Sequence, residues 1–324
     1  TIEYFKKDSK DLLFDVSQPA SVGVTSIIQN IGKVTNSGVE IELDYNAFKN
    51  KDWSVSVGAN ATFVKNKIKN LPATMKENGY ISGSKKWLEG KSIYEFWLRQ
   101  WHGVDPQTGD GLYVADVSKY NQGNIGTGDG NITQSQFDEY KKTVVTIDGK
   151  ELTNSYTYAK YDFSGSSIPD VFGGFNVRVS YKNFDLNVYI IARWGQMIDY
   201  ELTGSYDPQG KGNFPAYLNY WTPENPSNDF PRPDQTNFYN YLGYQTLNYI
   251  DGSYWKIKTV SLGYTFPKSL TSKLGVSKLR AYVTANNLFS FAKNHLIQDY
   301  DAERGGSAKA PLQRQFIFGL NLDF

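Results

Sequence analysis

The chain has few side chains that could act as nucleophiles, general bases or metal ligands. It contains no cysteine and only two histidines, His102 and His295. A thiolate nucleophile, a disulfide and a Cys-based metal site are therefore excluded, and neither histidine has a second ligand at metal-binding spacing. No Gly-x-Ser-x-Gly turn, phosphate-binding glycine loop or zinc motif occurs in the sequence. We predict no catalytic residue, no metal site and no cofactor, and hence a protein that is not an enzyme.

One segment resembles part of a calcium-binding loop. Residues 127–137 read TGDGNITQSQF, and Gly130 aligns with the glycine that such loops require at their sharp turn. That alignment puts Ile125 at the first ligand position and Gln136 at the position of the bidentate glutamate, so two of the main carboxylates are missing. A polar loop is the expected structure of 125–136, and calcium binding is the alternative.

Aromatic side chains are the other candidates for a binding site. They make up 15% of the chain, and a flat ring offers a large contact area at a small entropic cost. Rings in the long loops could stack on sugar rings or pack on a peptide backbone, with packing inside the loops as the alternative. The candidate ligand-binding residues are Trp87, Tyr217, Tyr220, Trp221, Tyr239, Tyr241 and Tyr244.

The composition indicates an all-β protein. Among 324 residues there are 24 Tyr, 19 Phe and 29 Gly, which favour strands and turns. The net charge of +1 gives no reason to expect nucleic acid as a partner. The sequence has no apolar run of about 18 residues, the length of a membrane helix, and no signal peptide begins at Thr1. Because the chain opens abruptly at Thr1, we expect it to be the inside of a longer polypeptide.

Seven segments alternate between apolar and polar residues, which predicts strands with one apolar and one polar face. They are 39–47, 53–63, 174–181, 184–190, 259–266, 279–286 and 315–324. In 259–266 the polar face consists of Thr259, Ser261, Gly263 and Thr265. The residues expected to face lipid are Val260, Leu262, Tyr264, Phe266, Phe316, Phe318, Leu320, Leu322 and Phe324.

Strand and connection lengths favour a membrane barrel over a soluble domain. A tilted strand of about ten residues is long enough to cross a bilayer, whereas strands of soluble sandwiches are about five or six residues long. Short turns follow 48, 181 and 266, but 66–92, 195–253 and 291–312 are long. We therefore predict a transmembrane antiparallel β-barrel with periplasmic turns and extracellular loops. Tyr181, Tyr264 and Phe266, near the short turns, are expected at the lipid interface. The alternative is a soluble β-sandwich or glycan-binding domain.

Several longer motifs occur in a fixed order along the chain. They are NIGKVTNSGVEIEL at 30–43, WHGVDPQTG at 101–109, PDVFGGFNVRVSYKNF at 169–184, WTPENPSNDFPRP at 221–233, and DGSYWKIKTVSLGYTFP, KLRAYVTANNLFSF and DYDAE between 251 and 303. These motifs and their order resemble those of the SusC/RagA-like TonB-dependent outer-membrane transporters of Bacteroidetes. The resemblance covers nearly the whole chain.

The resemblance implies an architecture and a set of partners. Residues 1–324 would be the C-terminal part of the barrel, about eight to ten of roughly 22 strands. The plug, the TonB-binding segment, the N-terminal domain and the remaining strands would come from an upstream segment or chain. The implied function is active import of an oligosaccharide or a peptide, driven by TonB, with a SusD-like surface lipoprotein as a lid. A dimer of transporter–lipoprotein pairs is compatible with this family. A passive pore or an adhesive barrel in the outer membrane is the alternative function.

Overall fold

The computed structural model describes residues 1–17, 26–201, 218–236, 244–298, 301–307 and 309–324. Most of these residues are in strands, and the few helices lie in the connections. The strands are β1 (Ile2–Ser17), β2 (Ser26–Lys49), β3 (Trp53–Asn70), β4 (Tyr80–Ser82), β5 (Lys85–Trp87), β6 (Glu95–Arg99), β7 (Trp101–Val104), β8 (Gly111–Val114), β9 (Val144–Ile147), β10 (Lys150–Thr153), β11 (Tyr161–Ser166), β12 (Val171–Tyr181), β13 (Phe184–Trp194), β14 (Met197–Asp199), β15 (Tyr249–Asp251), β16 (Tyr254–Thr265), β17 (Lys278–Ala292) and β18 (Gln315–Asp323). The helices are α1 (Gln134–Thr143) and α2 (Lys268–Thr271), with 3-10 turns at Ala73–Met75, Gln122–Asn124, Tyr156–Tyr158, Ser272–Leu274, His295–Ile297 and Ala302–Arg304.

Eight long strands form one antiparallel sheet, in the order β1-β2-β3-β12-β13-β16-β17-β18. The central strand β12 pairs along its whole length with β3 on one side and with β13 on the other. Each strand therefore neighbours the next long strand of the chain, as in an up-and-down barrel. This confirms the predicted fold class, an antiparallel barrel wall. Within the described residues the sheet is not closed, and β1 and β18 lie at its two edges.

All seven predicted strands are present, but some of the predicted loop boundaries are wrong. The loop expected at 66–92 starts later because β3 continues to Asn70, paired with Lys33 of β2. The loop expected at 291–312 runs instead from 293 to 314, between β17 and β18. The sequence patterns also missed β1, which pairs with β2 from Ile2 to Ser17.

The two ends of the sheet differ in what connects the strands. The connections at 50–52, 182–183 and 266–277 lie at one end, which we call the turn end. Because successive strands are antiparallel, the long connections 71–170, 195–253 and 293–314 leave from the other end, the loop end. This is the asymmetry that the connection lengths predict.

The connection 71–170 folds into units with their own small cores. Strands β7, β8, β9 and β10 form one sheet, and β4, β5, β6 and β11 form another. Helix α1 packs Phe137 and Tyr140 into a cluster with Tyr120 and Tyr158. Burial raises the pKa of Tyr140 and of Tyr158 to about 12, so these phenols stay neutral and serve packing. No helix among the residues described here is long and apolar enough to cross a membrane.

Candidate functional site

The eight-stranded sheet has an apolar face, on which Leu262 lies, and a polar face, on which Ser261 lies. Side chains opposite one another on neighbouring strands form apolar rows across the sheet. One such row consists of Tyr45, Val57, Val177, Val188, Val260, Ala285 and Phe316. Large side chains on this face are exposed, with Leu262 at 45% and Phe318 at 80% of their full accessible area. An apolar surface that crosses eight strands is far larger than the patches that soluble monomers expose.

The predicted lipid-facing residues can be compared with this arrangement. The strands β16 and β18 place the following residues on the apolar face: Val260, Leu262, Tyr264, Phe316, Phe318, Leu320 and Leu322. Phe266 and Phe324 follow immediately after the last residues of the two strands. The polar face carries Thr259, Ser261, Gly263 and Thr265, as the alternation predicts. One residue departs from the pattern, because Ile317 pairs with Thr284 on the polar face.

Aromatic rings border the apolar face at both ends. At the turn end, Trp53 and Tyr181 have ring centroids 4.2 Å apart, and Phe184 and Tyr264 have theirs 4.7 Å apart. At the loop end, Trp255 stacks on Phe291 at 4.0 Å. Trp255 and Tyr264 belong to β16 and span roughly 30 Å along the strand, or about 23 Å after a tilt of about 40°. That height matches the apolar band of outer-membrane barrels, which is about 25 Å.

The polar face is held together by hydrogen bonds and one ion pair. The Ser261 and Thr284 hydroxyls are 2.9 Å apart, and Thr259 donates to Asn286 over 3.1 Å. The Arg280 guanidinium donates to Asp185 over 2.6 and 3.0 Å, across the intervening Gly263 of β16. A Cβ atom at Gly263 would collide with both partners. Polar side chains of neighbouring strands are therefore joined across this face.

Trp221, one of the candidate aromatic residues, is buried against another connection. It is 8% exposed, and its indole N–H donates to the Pro106 carbonyl oxygen over 3.2 Å. Its ring lies directly over Gly109, which allows the close approach because it has no Cβ atom, and whose φ of +75° also favours glycine. Arg232 also pairs with Asp110 at 3.1 Å. The motifs at 101–109 and 221–233 thus pack on each other, which their sequences alone did not reveal.

The other candidate aromatic residues differ in exposure. Trp87 packs against Tyr80, with ring centroids 5.4 Å apart, and donates to the Ile93 carbonyl oxygen over 3.2 Å. Tyr220 is partly buried against the cluster formed by Leu218 and Phe230. Tyr244 is 46% exposed. Tyr217, Tyr239 and Tyr241 lie outside the described residues.

A buried ionic cluster was not predicted as a site. The Lys256 side chain is 2% exposed, and its Nζ lies 2.9 Å from Asp301 and 3.0 Å from Glu303. Lys258 Nζ lies 2.8 Å from the same Glu303 carboxylate. Burial alone would raise the pKa of Glu303, but the bonds from the two lysines outweigh it and lower that pKa below its ordinary 4.5. The cluster fastens the connection 293–314 to β16. In the sequence, the two lysines occur in the motif WKIK at 255–258 and the two acids in the motif DYDAE at 299–303. Nothing in the sequence indicated that the two motifs pair.

A recess lies beside this ionic cluster. It is between 311–314 and the loop-end part of β17, beyond the last residue of β17 that pairs with β18. Its volume is about 640 Å³, and its lining includes Lys256, Gln298, Asp301 and Arg314. Asn287 Oδ1 and Ser290 Oγ are buried and have no hydrogen-bond partner within the described residues. Polar groups of a bound molecule or water could satisfy these atoms.

The segment 125–136 adopts a structure that uses its side chains for folding. Thr133 caps α1 by accepting a hydrogen bond from the Gln136 backbone N–H over 3.2 Å. The Gln136 side chain in turn accepts from the Thr133 backbone N–H over 2.8 Å. The described residues contain no group of three or more His, Asp or Glu placed to hold a metal ion. His102 and His295 are both exposed.

Comparison with known proteins supplies relatives along the whole chain. No family model matches the chain. The TonB-dependent receptor P3 of Formosa agariphila is 29% identical over an alignment of 352 positions, gaps included, which covers 100% of this chain and 32% of the relative. The TonB-dependent receptor SusC of Bacteroides thetaiotaomicron is 25% identical, covering 99% of this chain and 29% of SusC. The chain therefore spans about a third of the length of these relatives.

Solved structures share the fold. The RagAB peptide transporter superposes with a TM-score of 0.75 at 24% identity, covering 100% of this chain and 33% of that chain. The RagAB peptide importer in its open-open state gives a TM-score of 0.70 at 23% identity. The resemblance predicted from the motifs is thus confirmed: the chain is similar over its whole length to part of these TonB-dependent receptors, SusC among them, and it shares the fold of the RagAB structures.

Proposed function

We propose that this chain is the C-terminal part of the wall of an outer-membrane barrel that imports a nutrient. The exposed apolar face, bordered by aromatic rings at both ends, carries the proposal, because large apolar surfaces mark contact with lipid or protein and aromatic borders at both ends are typical of a membrane barrel. The residues that we propose to face lipid are Val260, Leu262, Tyr264, Phe266, Phe316, Phe318, Leu320, Leu322 and Phe324.

The orientation of the wall follows from the two kinds of connection. Outer-membrane barrels have short periplasmic turns and longer extracellular loops. The turn end would then be periplasmic and the loop end extracellular. The connections 71–170 and 195–253 would present their folded units to the outside, where they are positioned to meet a SusD-like surface lipoprotein.

Transport requires parts that lie beyond the wall. The similarity to SusC and to the RagAB peptide transporter supports active import driven by TonB, with a plug, a TonB-binding segment and further strands completing the protein. The edge strands β1 and β18 support this, since an open edge in hydrocarbon leaves backbone groups unpaired at several kcal/mol each.

The cargo is proposed to be an oligosaccharide or a peptide. Tyr244 supports this through its exposed ring at the loop end. The recess beside Lys256 offers unpaired Asn287 and Ser290 atoms. Both features suit an extended polar ligand, because rings stack on sugars and on peptide backbones alike. The buried Trp221 would support the loop rather than touch cargo.

A pair of arginine substitutions tests the wall. Val260 and Ser261 are neighbours in the middle of β16, about halfway between Trp255 and Tyr264, but lie on opposite faces. In the complete protein, Val260→Arg should destabilise folding into vesicles by about 2–4 kcal/mol, the cost of arginine at the bilayer midplane. Ser261→Arg points into water and should cost much less. Equal effects of both substitutions in urea titrations would contradict the membrane wall.

A further inference from the structure

Four lysines form a basic patch on the apolar-face side of β1, β2 and β3. They are Lys6, Lys33, Lys65 and Lys67. Lys6 and Lys65 both pair with Ser37, so they flank it on adjacent strands. Lys67 pairs with Thr35, and Lys33 shares this side because its Nζ lies 3.1 Å from Asp8, the other partner of Thr35. Lys6, Lys65 and Lys67 are exposed.

The basic patch lies immediately beyond the aromatic border of the apolar face. The row next to it, toward the turn end, consists of Tyr4, Val39, Phe63, Val171 and Trp194. Lys65 is two residues after Phe63, and Lys6 is two residues after Tyr4, so the lysines are about 7 Å farther toward the loop end. The patch therefore continues the face that we assign to lipid.

The charge of the patch stays positive when neighbouring acids are counted. Asp8 offsets one lysine through its ion pair with Lys33. A cavity of about 290 Å³ beside Lys65 and Lys67 is also lined by Glu95 and Asp170. Glu95 is matched by a further lysine, since Lys91 Nζ lies 3.6 Å from its carboxylate. Of the four lysines in the patch, Asp8 offsets one and Asp170 offsets another. The patch therefore keeps a surplus of two positive charges.

We propose that the basic patch binds the phosphate group of an anionic membrane lipid, in the leaflet next to the loop end. Lysines just outside a hydrocarbon band extend their ammonium groups to the headgroup level while their stems stay on apolar surface. The continuity of the patch with the apolar face favours a lipid over cargo, because cargo would pass along the polar face. This inference rests on the proposed membrane wall.

The test uses the complete protein in vesicles of equimolar phosphatidylcholine and phosphatidic acid. Native mass spectrometry after detergent extraction measures how strongly phosphatidic acid is retained over phosphatidylcholine. Each lysine near an anionic surface contributes about fivefold, so Lys65→Gln with Lys67→Gln should reduce the preference about thirtyfold. The matched control, Lys141→Gln with Lys142→Gln, removes two exposed charges from α1 and should leave it unchanged.

The outcomes separate this inference from the proposed function. A protein that enters the vesicles but shows no preference for phosphatidic acid would overturn the lipid site and leave the wall intact. A protein that does not enter the vesicles at all would overturn the wall. Excess inorganic phosphate should not displace the lipid, and displacement would mean that free phosphate is the ligand. The preference of the unsubstituted protein decides the question even if the double variant fails to fold.

Discussion

Replacing Lys256 with alanine should release the connection 293–314 from the wall. The Lys256 ammonium is 2% exposed and contacts Asp301 and Glu303. The Asp301 side chain is only 7% exposed and also accepts the Leu312 backbone N–H over 2.9 Å. Without its cation, Asp301 would be a nearly buried and unpaired charge. Breaking such a pair costs about 3–5 kcal/mol.

A neighbouring lysine supplies the control. Lys258 is 30% exposed and contacts Glu303, which keeps Lys256 as a partner when Lys258 is removed. Exposed ion pairs contribute about 0.2–1 kcal/mol, so Lys258→Ala should change stability little. The two substitutions therefore differ by about 3 kcal/mol although each removes one lysine. A double variant, Lys256→Met with Asp301→Asn, removes both charges and should recover part of the loss.

Limited trypsin digestion in detergent measures how often the connection 293–314 is released from the wall. Arg304 lies in the connection with its Nε buried, and it becomes cleavable when the connection opens. Cleavage tracks the open population when reclosing is fast, and about 3 kcal/mol corresponds to about a hundredfold. We expect cleavage at Arg304 to rise by that factor in Lys256→Ala and only a few-fold in Lys258→Ala. Similar cleavage in both variants would refute the argument that a buried ion pair fastens the connection.

Two further predictions concern the loop end. Because the pKa of Glu303 is lowered in the folded protein, its stabilisation is complete above about pH 4.5 and is lost as the pH falls through the folded value. Proteolysis of the connection, followed with an acid protease below about pH 5 and with trypsin above about pH 6, should therefore rise only below about pH 4.5, and a rise between about pH 6 and 8 would contradict the assignment. Gly109→Ala should destabilise the protein more than Gly149→Ala in thermal unfolding. Both glycines have φ of +75°, which costs alanine about 1–2 kcal/mol, but only Gly109 lies against Trp221, so equal shifts would show that the indole contact carries no energy.

The sequence was sufficient for strands inside the apolar band and insufficient beyond it. In 259–266 every second side chain is apolar, because one face of β16 meets an apolar environment and the other meets polar groups. Near the loop end, β3 has Lys65 and Lys67 on one face and Asn66 on the other. The sequence there lacks the apolar alternation that indicates a strand. This part of β3 is a strand because β2 supplies a ladder partner. Long-range pairing of this kind leaves no local signal, and β1 was missed for the same reason.

The ligand-binding prediction shows a different limit. Ring type and loop position identified Trp221 and Tyr244 equally, although the structure buries one and exposes the other. The difference depends on Gly109, which is more than a hundred residues from Trp221 and admits its ring. The recess near Lys256 was missed for a similar reason. Its unpaired polar atoms belong to Asn287 and Ser290, which are not part of any recognisable binding motif. Contacts between distant loops decide which rings remain free, and periodicity cannot report them.

The abundance of aromatic residues therefore cannot be taken as a measure of binding capacity. Trp53, Tyr181 and Trp255 border the apolar face, where a ring with a polar edge suits the interface between hydrocarbon and water. Tyr120, Tyr140 and Tyr158 pack with Phe137 and Ile132 in the core of a connection unit. These two uses occupy most of the rings whose surroundings are described above. Under the proposed function, the exposed ring of Tyr244 and the polar recess near Lys256 are the features of the described residues that would contact cargo, and both lie at the loop end.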